Sequence, residues 1–141
     1  MSPESHKSVS LPVECQVNDE SDLTTAVLAA GRWVEEMGTT PALKSKVMTI
    51  VSELGRNVLK YARRGRLCCR IVDMHARHGL EIFVSDEGPG IDDIGAALED
   101  SFSTGGTLGL GLPGVRRMVD EFDIQSSSGE GTRVTARIWL D

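Results

Sequence analysis

Thr40 and Pro41 open a run in which Val47, Ile50, Val51, Leu54, Val58 and Tyr61 recur at the spacing of a single helical face. Threonine can accept a hydrogen bond from the first turn, and proline loses nothing there because its missing N–H would have no partner, so the pair marks a helix start. An amphipathic helix of this length must lay its stripe on a second layer, and the remaining sequence supplies strands for that layer.

Before this helix, Val9 to Val17 surrounds Pro12 with β-branched and apolar residues, the pattern of an edge strand. Asn18 and Asp19 then serve as candidate caps for a first helix carrying Leu23, Val27, Ala30 and Val34, which ends near Gly38. Beyond the long helix, Gly65 begins a strand through about Met74, a turn falls at His78 and Gly79, and Leu80, Ile82 and Val84 alternate with Glu81, Phe83 and Ser85. Residues 91–100 read as a short helix, and Pro113 to Phe122 as another. Two last strands, Asp123 to Ser128 and Thr132 to Leu140, flank Gly129-Glu130-Gly131. Helices come in blocks and strands pair mainly with sequence neighbours. This predicts an α+β, two-layer sandwich with a mixed, mostly antiparallel sheet and helices on one face.

At 141 residues the chain is the size of one ordinary domain, with residues 1–8 expected as a flexible tail and 9–141 as the folded unit. A net charge of −6 and only 4% aromatic residues argue against nucleic acid as a partner, since both phosphate neutralisation and base stacking are poorly served. No run of eighteen apolar residues suggests a membrane span. Cys15, Cys68 and Cys69 are odd in number and lack CxxC spacing, and His6, His75 and His78 lie in a tail or near a turn. Reduced thiols, surface histidines and a cytoplasmic location are therefore expected.

Glu53 and Asn57 stand four residues apart at the margin of the apolar stripe, close enough to act on one ligand. A carboxylate there can take a proton from a hydroxyl, and an amide oxygen can ligate Mg²⁺. Lys60 lies on the same side and could reach a phosphate. Taken alone, the same pattern describes a solvated helix edge. Gly55 inside the helix costs about 1 kcal/mol against alanine, which suggests either a close approach to its backbone or a tolerant position.

Asp86 ends a strand and is followed by Gly88 and Gly90, so a carboxylate able to accept from an exocyclic amine sits beside open space. Further on, Gly105, Gly106, Gly109, Gly111 and Gly114 put five glycines in ten residues, directly before a helix. Unshielded N–H groups at a helix start favour phosphate. Although Gly109 to Gly114 satisfies GxGxxG, no strand precedes it and no βαβ crossover follows. A GxxxxGK[ST] motif is missing too.

In this order, ExxxN on a helix, DxGxG after a strand, a glycine-rich segment and Gly129-Glu130-Gly131-Thr132 resemble the GHKL ATPase superfamily, whose fold is the Bergerat ATP-binding sandwich. More closely, Ser52-Glu53-Leu54-Gly55-Arg56-Asn57, Asp86-Glu87-Gly88-Pro89-Gly90-Ile91, Phe102 to Gly105 and Gly111 to Val115 resemble the RsbT-type serine/threonine switch kinases. The resemblance implies an ATP- and Mg²⁺-dependent kinase that phosphorylates STAS-domain proteins of a stressosome and, when released, activates an effector such as a PP2C-type phosphatase. It implies Glu53 as general base, Asn57 as metal ligand and Asp86 as adenine anchor, with Gly88 and Gly90 shaping the base pocket. Gly105, Gly106, Thr107, Gly109, Leu110 and Gly111 would cover the phosphates, and Thr132 would support Asp86. An anti-sigma factor kinase and a non-catalytic nucleotide-gated module are the alternative readings. Lys60 transfers less directly, and glycine at position 55 stands where the family suggests alanine.

Overall fold

A computed structural model describes residues 11–62, 64–74, 76–89, 111–126 and 129–140. The elements run β1 (Val13–Val17), α1 (Glu20–Glu36), α2 (Pro41–Tyr61), β2 (Gly65–Met74), β3 (Arg77–Asp86), α3 (Gly111–Met118), β4 (Glu121–Ser126) and β5 (Thr132–Trp139). The expected helix over 91–100, the tail over 1–8, and Gly90, Gly105, Gly106, Thr107, Gly109 and Leu110 lie outside the described residues.

Both long helices start where their caps predict. Asp19 accepts from the N–H of Asp22 at 2.7 Å and Thr40 from that of Leu43 at 3.1 Å, each satisfying an amide that has no partner within its helix. Gly38 takes φ 74° between the helices, a left-handed exit from α1 that glycine adopts without a Cβ penalty.

The five strands are ordered β1-β2-β3-β5-β4, and all four ladders are antiparallel. The architecture is therefore the expected two-layer α+β sandwich, with no parallel pair among the described strands. Leu67, Cys69, Leu80, Ile82, Val134 and Ala136 alternate onto the inner face and join Ile50, Leu54, Val58 and Val115 of the helices in one core. Burial, with smaller contributions from Cys68 and Cys15, pushes the Cys69 thiol up to about 12, so it packs as a small protonated hydrophobe.

Gly55 lies on the side of α2 that packs against α1. A Cβ built there would sit 2.3 Å from Leu23 Cδ1, while one at Gly31 of α1 would sit 2.7 Å from the sulfur of Met48. The two glycines, one from each helix, let the backbones approach through the partner's side chain, so the close-approach reading of Gly55 holds.

Two boundaries differ from the sequence expectation. The β2–β3 hairpin turns at Ala76, which has φ 64°, and not at His78 and Gly79, which pair with Asp73 and Val72 inside the ladder. Gly79 is required by proximity: a Cβ would meet Ile138 O at 2.5 Å and Trp139 Cε3 at 2.7 Å. The last helix stops at Met118 instead of Phe122, because from Glu121 the period switches to two and Phe122 and Ile124 turn toward the core.

The outer face of the sheet carries one nearly buried charge. Glu81, 4% exposed, accepts from Arg70 Nε at 2.8 Å and Arg137 Nε at 2.9 Å, and Arg137 reaches Glu121 at 3.1 Å. Trp139 lies against Gly79, with Arg77 4.8 Å from its ring centre and Glu121 accepting from its indole N–H at 2.9 Å.

Two outcomes follow from this packing. Gly55→Val should lower unfolding free energy by about 1–3 kcal/mol through overpacking. Leu23→Ala should cost less in that background than alone, which a double-mutant cycle in urea will read as coupling. Burial alone would push the Glu81 carboxyl up, but the bonds and charges of Arg70 and Arg137 outweigh it and hold it below the usual carboxylate range. Its stabilising contribution is present above the unfolded value of about 4.3 and is lost as pH falls through the lower folded value, so Glu81→Gln should flatten the fall in urea midpoint on acidification.

Candidate functional site

Asp86 stands at the last position of β3, opposite Thr132 of β5 and Gly65 of β2. One carboxylate oxygen, Oδ1, accepts from two backbone amides, Gly88 N at 2.9 Å and Thr132 N at 3.1 Å. Among the described residues the other oxygen has no donor. A carboxylate fixed through one oxygen presents the second in a set direction, which suits a ligand N–H.

The late turn locks this arrangement. Gly129 and Gly131 have φ 80° and 82°, and Gly129 N donates to Pro89 O at 2.7 Å, so the two glycine turns form one hydrogen-bonded unit. At Gly131 a Cβ would fall 2.1 Å from Asp86 O, which leaves room for glycine alone. Thr132, 5% exposed, serves Asp86 with its backbone N–H; its hydroxyl is engaged with Ser126 Oγ at 2.9 Å.

Gly88 faces the end of α2. A Cβ there would meet Ala62 Cβ at 2.5 Å, so this glycine is required by helix packing as well as by any ligand beside it. The contact brings the Asp86 turn to the C-terminal end of the helix that carries Glu53 and Asn57. Glu53 lies about 13 Å back along that helix from Ala62, at about 1.5 Å per residue.

Glu53 is 5% exposed, well inside the margin position its place in the sequence suggests. Its Oε1 accepts from the N–H of Gly111, the first residue of α3, at 3.1 Å. Gly111 has φ 53°, and Leu112 and Val115 behind it sit in the core. Sequence reasoning assigns Gly111 to the phosphates and misses this bond to Glu53; a glycine immediately before an apolar helix start was the available signal. Asn57 is half-buried one turn beyond Glu53. Lys60 is exposed, with its ammonium 5.2 Å from the Tyr61 ring centre, and is not brought to Glu53.

Among the described residues no group of three or more His, Cys, Asp or Glu could hold a metal, and no helix is long and apolar enough to cross a membrane. His78 is half-exposed and paired with Asp73 at 2.7 Å.

The model of the histidine kinase-like ATPase domain family matches residues 17–138. The chain is also 40% identical over 125 residues to serine/threonine-protein kinase RsbT of Bacillus subtilis (strain 168), covering 89% of this chain and 94% of that protein. The chain belongs to the histidine kinase-like ATPase family and, within it, to the RsbT-type serine/threonine kinases. ATP is the nucleotide this family domain implies. A solved structure, the SiaB–SiaC complex from Pseudomonas aeruginosa, shares the fold at a TM-score of 0.55 and 14% identity, covering 97% of this chain and 95% of that one.

Removing the Asp86 carboxylate strands two backbone donors. Asp86→Ala should therefore cost about 1–3 kcal/mol in urea unfolding, whereas Asp86→Asn, whose amide oxygen can take both bonds, should cost less than about 1 kcal/mol.

Proposed function

We propose that this RsbT-type kinase phosphorylates a serine or threonine on a STAS-domain partner in a partner-switching pathway, with Glu53 as the general base. The observation that carries the reading is a nearly buried carboxylate on α2, held at one oxygen, on the same helix whose far end packs against the Asp86 turn. The family membership and the relative named serine/threonine-protein kinase RsbT support the activity, and the SiaB–SiaC complex supports pairing with a second protein.

When bound, ATP supplies the phosphoryl group and Mg²⁺ the charge that offsets its oxygens. The residues fit that pair. Asp86 Oδ2 would accept from the adenine amine, and Asn57 would offer Mg²⁺ its amide oxygen. Glu53 Oε2, without a partner among the described residues, takes the proton from the acceptor hydroxyl. Thr132 and Gly88 hold Asp86 through their amides. Gly90 and the segment Gly105, Gly106, Thr107, Gly109 and Leu110 are assigned by motif to the base pocket and the phosphates, and Lys60 has no assigned role.

Released from its partner, the kinase activates a downstream effector such as a PP2C-type phosphatase. It works in the cytoplasm, where ATP is made and thiols such as Cys15, Cys68 and Cys69 stay reduced.

Glu53→Gln should leave ATP affinity nearly unchanged and slow transfer to a STAS partner by about 10²–10⁴-fold, followed by intact mass. Asp86→Asn should instead weaken ATP binding by about tenfold or more in calorimetry, because it turns an acceptor into a donor facing the amine. Wild-type transfer rates from the Glu53 variant would remove the base assignment.

A further inference from the structure

Glu53 and Gly111 are 58 residues apart in sequence, yet a carboxylate that is 5% exposed takes its hydrogen bond from the first amide of α3. Burial penalises a charged carboxylate unless a donor compensates, and the N–H groups at a helix start carry partial positive charge. That donor is rigidly mounted. Leu112, 4% exposed, and Val115, fully buried, fasten the first turn of α3 into the core. The left-handed φ of 53° at Gly111 aims its N–H in a way an L-residue adopts only with strain.

A carboxylate pinned at Oε1 loses the freedom to spin about its last torsion, so Oε2 is presented at one fixed angle. We propose that the backbone N–H of Gly111 is a positioning group for Glu53, and that Glu53 in turn fastens the first turn of α3 to α2. The proposal rests on the reading of Glu53 as general base and extends it: one oxygen is anchored and the other acts. Gly111 touches neither the hydroxyl nor the transferred group in this role; it works through Glu53.

Glutamine separates the two halves of the role, because its carbonyl oxygen can accept the Gly111 bond while its amide cannot take a proton. Alanine removes both. If Glu53 were only a fastener, glutamine would restore turnover. If it were only a base, glutamine and alanine would be equivalent and the Gly111 amide indifferent to both.

The test uses the ¹⁵N-labelled full chain as wild type, Glu53→Gln and Glu53→Ala, with amide exchange read at Gly111 and turnover read with the STAS substrate. Exchange at Gly111 should be about tenfold or more faster in Glu53→Ala, and within about threefold of wild type in Glu53→Gln. Both variants should lose transfer by about 10²-fold or more. Gly111→Ala, which displaces the donor and leaves Glu53 in place, should lower kcat by about tenfold with the KM for ATP changed less than about twofold. Equal exchange at Gly111 in wild type and Glu53→Ala would overturn the proposal, as would a wild-type kcat in Gly111→Ala. Full turnover in Glu53→Gln would instead defeat the base reading while leaving the fastener intact. Should Gly111→Ala fail to fold, the exchange comparison between the two Glu53 variants decides alone, and it needs no substrate.

Discussion

The depth at which α2 sits in the molecule follows from how closely α1 can approach it, and that approach depends on two glycines that face each other's helices. With Leu23 filling the space at Gly55 and Met48 the space at Gly31, the helices interlock without the spacing that β-carbons would impose. Glu53 and Leu54 are neighbours of Gly55, so the same contact that seats the core also fixes where Glu53 stands. Packing and chemistry share one helix: the face carrying Ile50, Leu54 and Val58 enters the core, and the adjacent edge carries Glu53 and Asn57.

The second half of the site is built from backbone. Asp86 owes its orientation to amides donated by residues on two different turns, and those turns are joined to each other between Gly129 and Pro89. One donor, Thr132, is held by β5 and the other, Gly88, by the turn tied to Gly129, and backbone donors so placed relax away less readily than a side chain would. Gly88 and Gly131 are needed because the unit is too tight for β-carbons, a requirement that exists whether or not a ligand is bound.

What the sequence makes legible is what depends on local pattern. The start of α2 is written in Thr40 and Pro41, the alternation of β3 in Leu80, Ile82 and Val84, and the odd Gly55 signals a close neighbour without naming it. What it hides depends on partners distant along the chain. His78 and Gly79 look like a turn because glycine and a polar residue usually make one, yet Gly79 is set by Trp139, sixty residues later. Phe122 looks like a continuation of the preceding helix until β5 is available to pair with it. Glu53 and Asp86 stand out by motif, but that Glu53 is nearly buried, and that Gly111 holds it, follows only from the way α3 packs on α2.

Among the described strands, those at the margins of a five-stranded sheet pose a problem of their own, since edge backbone can recruit a neighbouring molecule. Here β1 and β4 form the two margins, and both display exposed acids: Glu14 on one, Glu121 and Asp123 on the other. Like charges on facing margins repel, which disfavours pairing edge to edge. Such charges oppose growth of the sheet from one copy of the molecule to the next.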